Sequence, residues 1–545
     1  MQDEKIKQAF SDIVTRNGVQ GQGEYANLED KVKHVFSDMV VLKDPKRSEF
    51  FSNLSMPSYM RDWLVMKFSD SQGNIDYDST LEYIKKFIPD REAFQAIKYR
   101  LMMGNREKLL ARVRLDVNLK KGYVQFELPD FGGTRGGAAG IVSDEVLEEH
   151  AGALLAESEN WGIVELALGS TLNVELEYGE GSYAGSGKFY QKLFGKPKKG
   201  EEEELTYKPN EIYISHYKPF CPYRVDLDFY KQARKSFDIH EWIDVIISAV
   251  DYNPAGYVDD DGNVSEETKL FFLRRLLPFI EKRINLVELA PKGTGKSYVF
   301  EKISKRGWLI SGGTVSRASL IYDNAKKTGG LLTRFDYVGF DEVQSITFEQ
   351  PGQIQQALKH YMEFGEIKGF DAQMSTDAGV IVLGNIDAGR FDINKNMVEH
   401  ISEVFGESAT LDRFHGFIPG WEIPRLNQDL IANGWAINTE YFAEVLHAMR
   451  DDLSYSALVD SCLDVPAKAD QRDMTAIKRL CTAFVKLLFP NARTKEDISP
   501  DEFVKYCLNP AKEMRAVIKK QLCIIDPKEF DVPGKRTIPD VQYKR

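Results

Sequence analysis

The residues best suited to chemistry lie between Asn285 and Asn385. Leu286-Val287-Glu288-Leu289 reads as a short buried strand. It runs into Ala290-Pro291-Lys292-Gly293-Thr294-Gly295-Lys296-Ser297, and an apolar-periodic helix follows. This is a phosphate-binding (Walker A) loop with Ala290 in place of its first glycine. Gly293 and Gly295 let backbone N–H groups approach phosphate oxygens at a helix N-terminus, which already favours anions. Pro291, Lys292 and Thr294 complete the cradle. Lys296 is placed to contact the β- and γ-phosphates, and Ser297 to ligate magnesium. Forty-five residues past Lys296, the apolar run Tyr337-Val338-Gly339-Phe340 ends in Asp341-Glu342. In this Walker B pattern Asp341 holds Mg2+ and Glu342 orients and activates the attacking water. A third apolar run, Gly379 to Gly384, ends at Asn385, a polar group able to hold that water. The chemistry expected is ATP hydrolysis with ATP and Mg2+ bound.

The elements around these motifs are legible from periodicity. Ile354, Ala357, Leu358, Tyr361 and Met362 share one helix face, and Gly365 ends that helix. Glu366 to Thr376 reads as a polar hairpin with Gly369 near its tip. Upstream, Asp78–Phe87 and Arg91–Met103 are helical, Arg112 to Leu128 alternates as a strand pair, and Ser143–Glu157 then Gly162–Leu168 form a helix and a strand. Glycine and opposed charge blocks mark 169–208 as an insertion or linker. The resulting division is an N-terminal α+β domain at 1–168, the insertion, a helical connector at 209–283, an ATPase core at 284–435 and a helical lid with a short tail at 436–545.

Together the blocks ELAPKGTGKSYVFEKIS, LISGGTVSRASLIYD, YVGFDEVQSITF, VIVLGNI and LDRFHGFIPGWEIPR resemble the BrxL family, Lon-related AAA+ proteins of BREX phage-defence systems. SMPSYMRDWLVMKF, ARVRLDVNLKKGYVQFELPDFGG and FDIHEWIDVIISAV resemble its N-terminal region, and TAIKRLCTAFVKLLFPN its helical lid. The resemblance runs over roughly residues 30 to 525. It implies an α/β AAA+ P-loop core in an MCM-like homo-oligomeric ring that binds or translocates on DNA. That ring is a hexamer or a head-to-head dodecamer, working with other defence-system proteins. Asn385 falls at the sensor-1 position. Arg413 in Leu411-Asp412-Arg413-Phe414 matches the arginine finger that enters a neighbour's ATP site, with Arg425 the alternative. Arg472, in preference to Arg479, matches sensor 2. The hairpin after Gly365 becomes a pore-facing element with Lys368 as its DNA contact. Longer members carry a C-terminal Ser-Lys peptidase-like domain. Only 22 residues follow Cys523, so no peptidase activity is expected.

Charge and composition set the remaining bounds. The chain has 545 residues, 71 basic and 83 acidic side chains and a net charge of −12, which argues against a general DNA-coating protein but leaves a local basic channel open. From Lys98 to Lys121, eight basic residues (Lys98, Arg100, Arg106, Lys108, Arg112, Arg114, Lys120, Lys121) face only Glu107 and Asp116. That is either a phosphate footprint or a solvated face. Five scattered cysteines and eight unpaired histidines offer no disulfide framework or zinc site. Gly132–Gly140 reads as a flexible turn, and Gly185-Ser186-Gly187-Lys188 fails as a P-loop because Phe189 follows. Asp259–Gly262 lacks calcium ligands at its ends. No apolar run is long enough to span a membrane and no signal peptide opens the chain, so a cytoplasmic protein is expected. Two rivals to the DNA motor remain: a polypeptide-threading remodeller, with Phe370 as its pore aromatic, and a nucleotide-gated DNA-binding regulator.

Overall fold

The computed structural model describes residues 25–44, 58–70, 73–88, 93–118, 123–129, 139–156, 159–178, 207–219, 225–259, 261–324, 328–368, 373–386 and 392–544. The chain opens with α1 (Leu28–Phe36) and β1 (Val40–Lys43), followed by α2 (Ser58–Phe68), α3 (Tyr77–Phe87) and α4 (Ala93–Met102). The next strands are β2 (Glu107–Asn118), β3 (Tyr123–Glu127) and β4 (Ala139–Val142). Helix α5 (Asp144–Ala156) precedes β5 (Glu159–Leu168), and α6 (Gly169–Tyr178) precedes β6 (Ile212–Pro219). Strands β2 to β6 close a barrel in the order β2-β3-β4-β6-β5, with only β4 and β6 parallel. This strand order, with a helix between the third and fourth strands, is the topology of the small Greek-key barrels of the oligonucleotide- and oligosaccharide-binding type. Leu109, Val113, Phe126, Val164 and Ile214 fill it.

Two segments differ from the sequence reading. Ile212–Pro219, assigned there to a helical connector, is a barrel strand paired with β5 across seven residue pairs. Gly169–Tyr178, assigned to an insertion, is helical. For Ile212–Pro219 the cause is distance: its partners β4 and β5 lie far back along the chain, so local composition carries no trace of the pairing.

The ATP-binding core is a parallel sheet. Helix α7 (Ile239–Ala249) leads towards β7 (Leu286–Ala290), α8 (Lys296–Lys302), β8 (Gly307–Ser311) and β9 (Tyr337–Asp341). Then follow α9 (Pro351–Phe364), the hairpin β10 (Glu366–Lys368) and β11 (Gln373–Ser375), β12 (Gly379–Asn385) and β13 (Gly416–Pro419). The order is β13-β7-β12-β9-β8, all pairs parallel. Every residue of β7 and β9 is buried, as expected for strands covered on both faces. Inserting β12 between β7 and β9 sets Asn385 opposite Ala290, one strand from Asp341.

The N-terminal segment does not stand apart from this core. Strand β1 pairs antiparallel with β14 (Gly434–Ile437), and Val32, Phe36 and Val40 share a core with Trp242, Ile437 and Tyr441. The C-terminal helices α10 (Thr439–Met449), α11 (Ser454–Cys462), α12 (Gln471–Leu488) and α13 (Asn509–Ile525) pack on the same core. Cys462, Cys481 and Cys507 are buried and free. No described helix is long and apolar enough to cross a membrane, and no described group of acidic, His and Cys side chains has the form of a metal site. Asp259 and Gly262 lie in a turn closed by Gly262 N–H donating to Asp259 O, 3.0 Å. Most of the glycine-rich turn (residues 132–138) and the segment 185–188 lie outside the described residues.

Candidate nucleotide site

The phosphate loop connects the C-terminal end of β7 to the N-terminus of α8. Gly293 and Gly295 have φ of +83° and +75°, a region closed to side-chain-bearing residues without strain. At Gly293 the space beyond Cα is open, and at Gly295 a Cβ would collide with the Tyr252 hydroxyl. Lys292 is exposed, while Pro291, Thr294 and Lys296 are buried. Lys296 Nζ donates to Asn385 Oδ1 at 2.6 Å. Burial lowers the pKa of Lys296, opposed by Glu288, Asp341 and Glu342. A bound polyphosphate would supply the counter-charge that restores it.

The Walker B residues meet the loop from β9. Ser297 Oγ donates to Asp341 Oδ2 at 2.5 Å, so a hydroxyl and a carboxylate converge as the hard oxygen pair that a magnesium ion takes. Glu342 adopts left-handed backbone angles, φ +46° and ψ +48°, a conformation that costs a non-glycine residue about 1–3 kcal/mol. It is held there by its own N–H on Asp341 Oδ1 (2.9 Å) and by Ser345, whose N–H (2.7 Å) and hydroxyl (2.8 Å) both donate to its carbonyl. Asn385 Nδ2 lies 3.5 Å from Glu342 Oε1. Lys296, Ser297, Asp341, Glu342 and Asn385 thus converge on one end of the sheet.

Beneath the loop lies a buried charge pair. Glu288, in the middle of β7, and Arg275 are both fully inaccessible. Arg275 Nε donates to Glu288 Oε2 at 3.0 Å, and its Nη1 to the Thr294 carbonyl at 2.7 Å. The pair therefore fixes the loop's backbone from below. The acidic residue inside the apolar run LVELA was its one sequence signal. Arg275→Met is expected to cost about 3–5 kcal/mol of stability by stranding the Glu288 charge. Arg275→Met/Glu288→Met should recover most of that while leaving ATP binding weak, because Thr294 is still unanchored. Denaturation and nucleotide titration of both variants check this, and a double variant no more stable than the single would refute the stranded-charge account.

A second buried network ties the site to the N-terminal segment. Tyr298, next to Ser297, donates its hydroxyl to Asp251 Oδ2 at 2.8 Å. Asp251 Oδ1 in turn lies 2.6 Å from Arg61 Nη2 and 2.7 Å from Lys43 Nζ.

The arginines fall at opposite ends of the sheet. Arg413 precedes β13, and its carbonyl faces Asn285 Nδ2 (3.4 Å) at the start of β7. A five-residue strand spans about 16 Å, so Arg413 cannot reach its own phosphate loop. Arg413 Nε and Arg472 Nη2 each lie 3.0 Å from Glu363 Oε2, and Arg472 Nη1 lies 2.8 Å from Asp412 Oδ2. Arg479 lies at the same end of the sheet but on other partners, with Nη1 3.1 Å from His415 Nε2 and 3.2 Å from the Arg283 carbonyl. Arg425 is exposed beside this chain's own loop, since the adjacent Leu426 N–H donates to Gly293 O at 2.8 Å.

Most of the described basic stretch is neutralised within the barrel. Arg100 pairs with Glu107, Arg106 and Lys108 with Glu165, and Arg114 with Glu127. The Arg112 guanidinium lies 5.2 Å over the Trp308 ring, where the barrel meets the ATP-binding core. Glu127 and Glu165 sit on the neighbouring strands β3 and β5, which the local count of Glu107 and Asp116 could not include. Lys120, Lys121 and Phe370 lie outside the described residues. Lys368 is exposed on β10, and its carbonyl accepts from Arg317 Nη2 at 2.8 Å.

Comparison with known proteins matches both regions. Residues 212–534 match the family described as Lon-like protease BrxL-like, ATPase domain, and residues 34–168 match the BREX system Lon protease-like protein BrxL N-terminal family. The Lon-like protease BrxL of Escherichia coli O9:H4 (strain HS) is 26% identical over 511 residues, 92% of this chain and 66% of the relative. That of Bacillus cereus (strain H3081.97) is 33% identical over 302 residues, 54% of this chain and 43% of the relative. The chain thus spans less than two thirds of the length of these curated relatives. With an AAA+-like α/β core, a formed phosphate loop and a family match over more than half its residues, the chain belongs to the BrxL family.

Proposed function

We propose that this chain is the ATP-hydrolysing subunit of a homo-oligomeric, MCM-like ring that engages DNA in cellular defence against phage. The observation that carries the reading is the split of the catalytic set between two ends of one sheet. Lys296, Ser297, Asp341, Glu342 and Asn385 gather at one end, and Arg413 stands at the other. Such a set is complete only when a second copy brings its Arg413 to this copy's phosphates. Arg425, lying against its own loop, fits a trans role poorly. Arg472, held beside Arg413, serves as the sensor-2 residue of a helical lid.

Each group then has one task. Lys296 and the loop N–H groups bind the β- and γ-phosphates. Ser297 and Asp341 would hold the Mg2+ ion, which supplies charge neutralisation on the phosphates when bound. Glu342 orients water and accepts its proton, and Asn385 fixes the carboxylate and the water. Arg413 of the neighbouring copy offsets charge gathering on the γ-phosphate.

For the DNA part, support comes from the barrel topology and the exposed hairpin lysine. The candidate contacts are Lys368, with Arg317 beside it, together with Lys120 and Lys121. Arg112 and Arg114 are less suited because their charges are already engaged. The deciding experiment measures ATPase rate and particle shape with duplex DNA, single strands and unfolded protein. Stimulation by DNA with DNA inside a ring is the expected result. Stimulation by unfolded protein alone would make the chain a remodeller, and DNA binding without stimulation a regulator.

A further inference from the structure

Glu363 is the residue shared by two structures that the proposed reaction needs, the arginine pair and the hairpin. It is the penultimate residue of α9. One of its carboxylate oxygens, Oε2, lies 3.0 Å from Arg413 Nε and 3.0 Å from Arg472 Nη2. Two guanidinium groups so close repel each other, and a single anion between them relieves that repulsion. Arg472 has a second anion in Asp412. Arg413, besides approaching Glu363, donates from Nη1 to the neutral Ala409 carbonyl. Burial and the neighbouring Arg472 charge both push the Arg413 pKa down, and Glu363 opposes them.

The same glutamate stands two residues before Gly365, whose φ of +71° ends α9 and turns the chain into β10. Arg283 Nη1 fixes that corner by donating to the Phe364 carbonyl at 3.2 Å. The other end of α9 follows the Walker B residues, Pro351 coming nine positions after Glu342. Helix α9 therefore runs from the chain's own hydrolytic residues to the arginines meant for a neighbour, and then into Lys368.

We propose that Glu363 is a positioning residue that holds Arg413 and Arg472 as a pair and couples their engagement with a neighbour's nucleotide to the hairpin carrying Lys368. This rests on the trans role of Arg413 given above. When both guanidinium groups turn to a phosphate, Glu363 loses its partners and the end of α9 loses its tie to the arginines, while Arg283 still holds the Phe364 carbonyl. When they return, that tie is restored. ATP turnover and hairpin position are linked through one carboxylate.

The test uses the full chain with Glu363→Gln, Glu363→Asp and Arg413→Ala. ATPase kinetics are read with and without duplex DNA. For Glu363→Gln, kcat should fall about tenfold or more with KM within about twofold, since the arginines act on the transition state and not on ground-state binding. Stimulation by DNA should also be lost. Glu363→Asp keeps the anion and should recover a substantial part of both. An unchanged kcat in Glu363→Gln, a parallel rise in KM, or no recovery in Glu363→Asp overturns the proposal. Arg413→Ala separates the two levels. If it turns over normally, the finger assignment itself fails. If it is inactive while Glu363→Gln behaves as wild type, only the coupling role of Glu363 fails.

Discussion

Glu342→Gln is expected to bind ATP as tightly as the parent chain while hydrolysing it at least about 100-fold more slowly, the scale of a lost general base. The amide keeps the size and the hydrogen-bonding shape of the side chain, so Lys296, Ser297 and Asp341 remain in place to hold the nucleotide. What disappears is the carboxylate that accepts the water proton. The backbone supports this separation of roles. Glu342 is kept at φ +46° by bonds that its main chain makes to Asp341 and Ser345, and these do not involve its carboxylate. The substitution therefore leaves the conformation intact. Trapped ATP counted by filter binding, alongside phosphate release over time, reads both quantities. Normal turnover would remove Glu342 from the mechanism. Loss of binding would mean the residue supports the site's structure instead.

How much of this was legible in the sequence depends on the distance between partners. The phosphate loop, the Asp341-Glu342 pair and Asn385 are each local patterns, and a parallel sheet of five short apolar strands brings their ends together with little freedom. Helix α9 and its Gly365 stop are local as well, and their observed limits follow the spacing of Ile354, Leu358, Tyr361 and Met362. The barrel was not legible, because its closure depends on β2 meeting β5 and β4 meeting β6. Nor was the pairing of β1 with β14, whose partners Val40 and Ile437 are almost 400 positions apart. Electrostatics failed in the same way. Arg106 and Lys108 looked free because Glu165 comes several elements later in the chain and only folding places it beside them. Glu363 gave no signal for a related reason. A single exposed glutamate near a helix end is unremarkable until two arginines from 50 and 109 positions downstream converge on it.

Arg413→Ala is expected to lower kcat by about 1,000-fold or more with ATP binding retained, the range for loss of an arginine that stabilises charge on a transferring phosphoryl group. The size of the loss does not say whose nucleotide the arginine serves, whereas mixing two variants does. Arg413→Ala subunits keep an intact phosphate loop but present no finger. Lys296→Ala subunits present a finger but bind no nucleotide. Each is inactive alone. In rings assembled from equal amounts, about one interface in four joins an intact loop to an intact finger. Activity should therefore reappear on mixing if Arg413 acts across the interface. The fold makes the alternative hard to satisfy, because Arg413 and the loop occupy opposite ends of β7 within one chain. A mixture as inactive as its components would place Arg413 in its own subunit's structure, where Glu363 and Ala409 already hold it. Restored activity would assign it to the neighbour's phosphates, and the ring would then be a condition of catalysis.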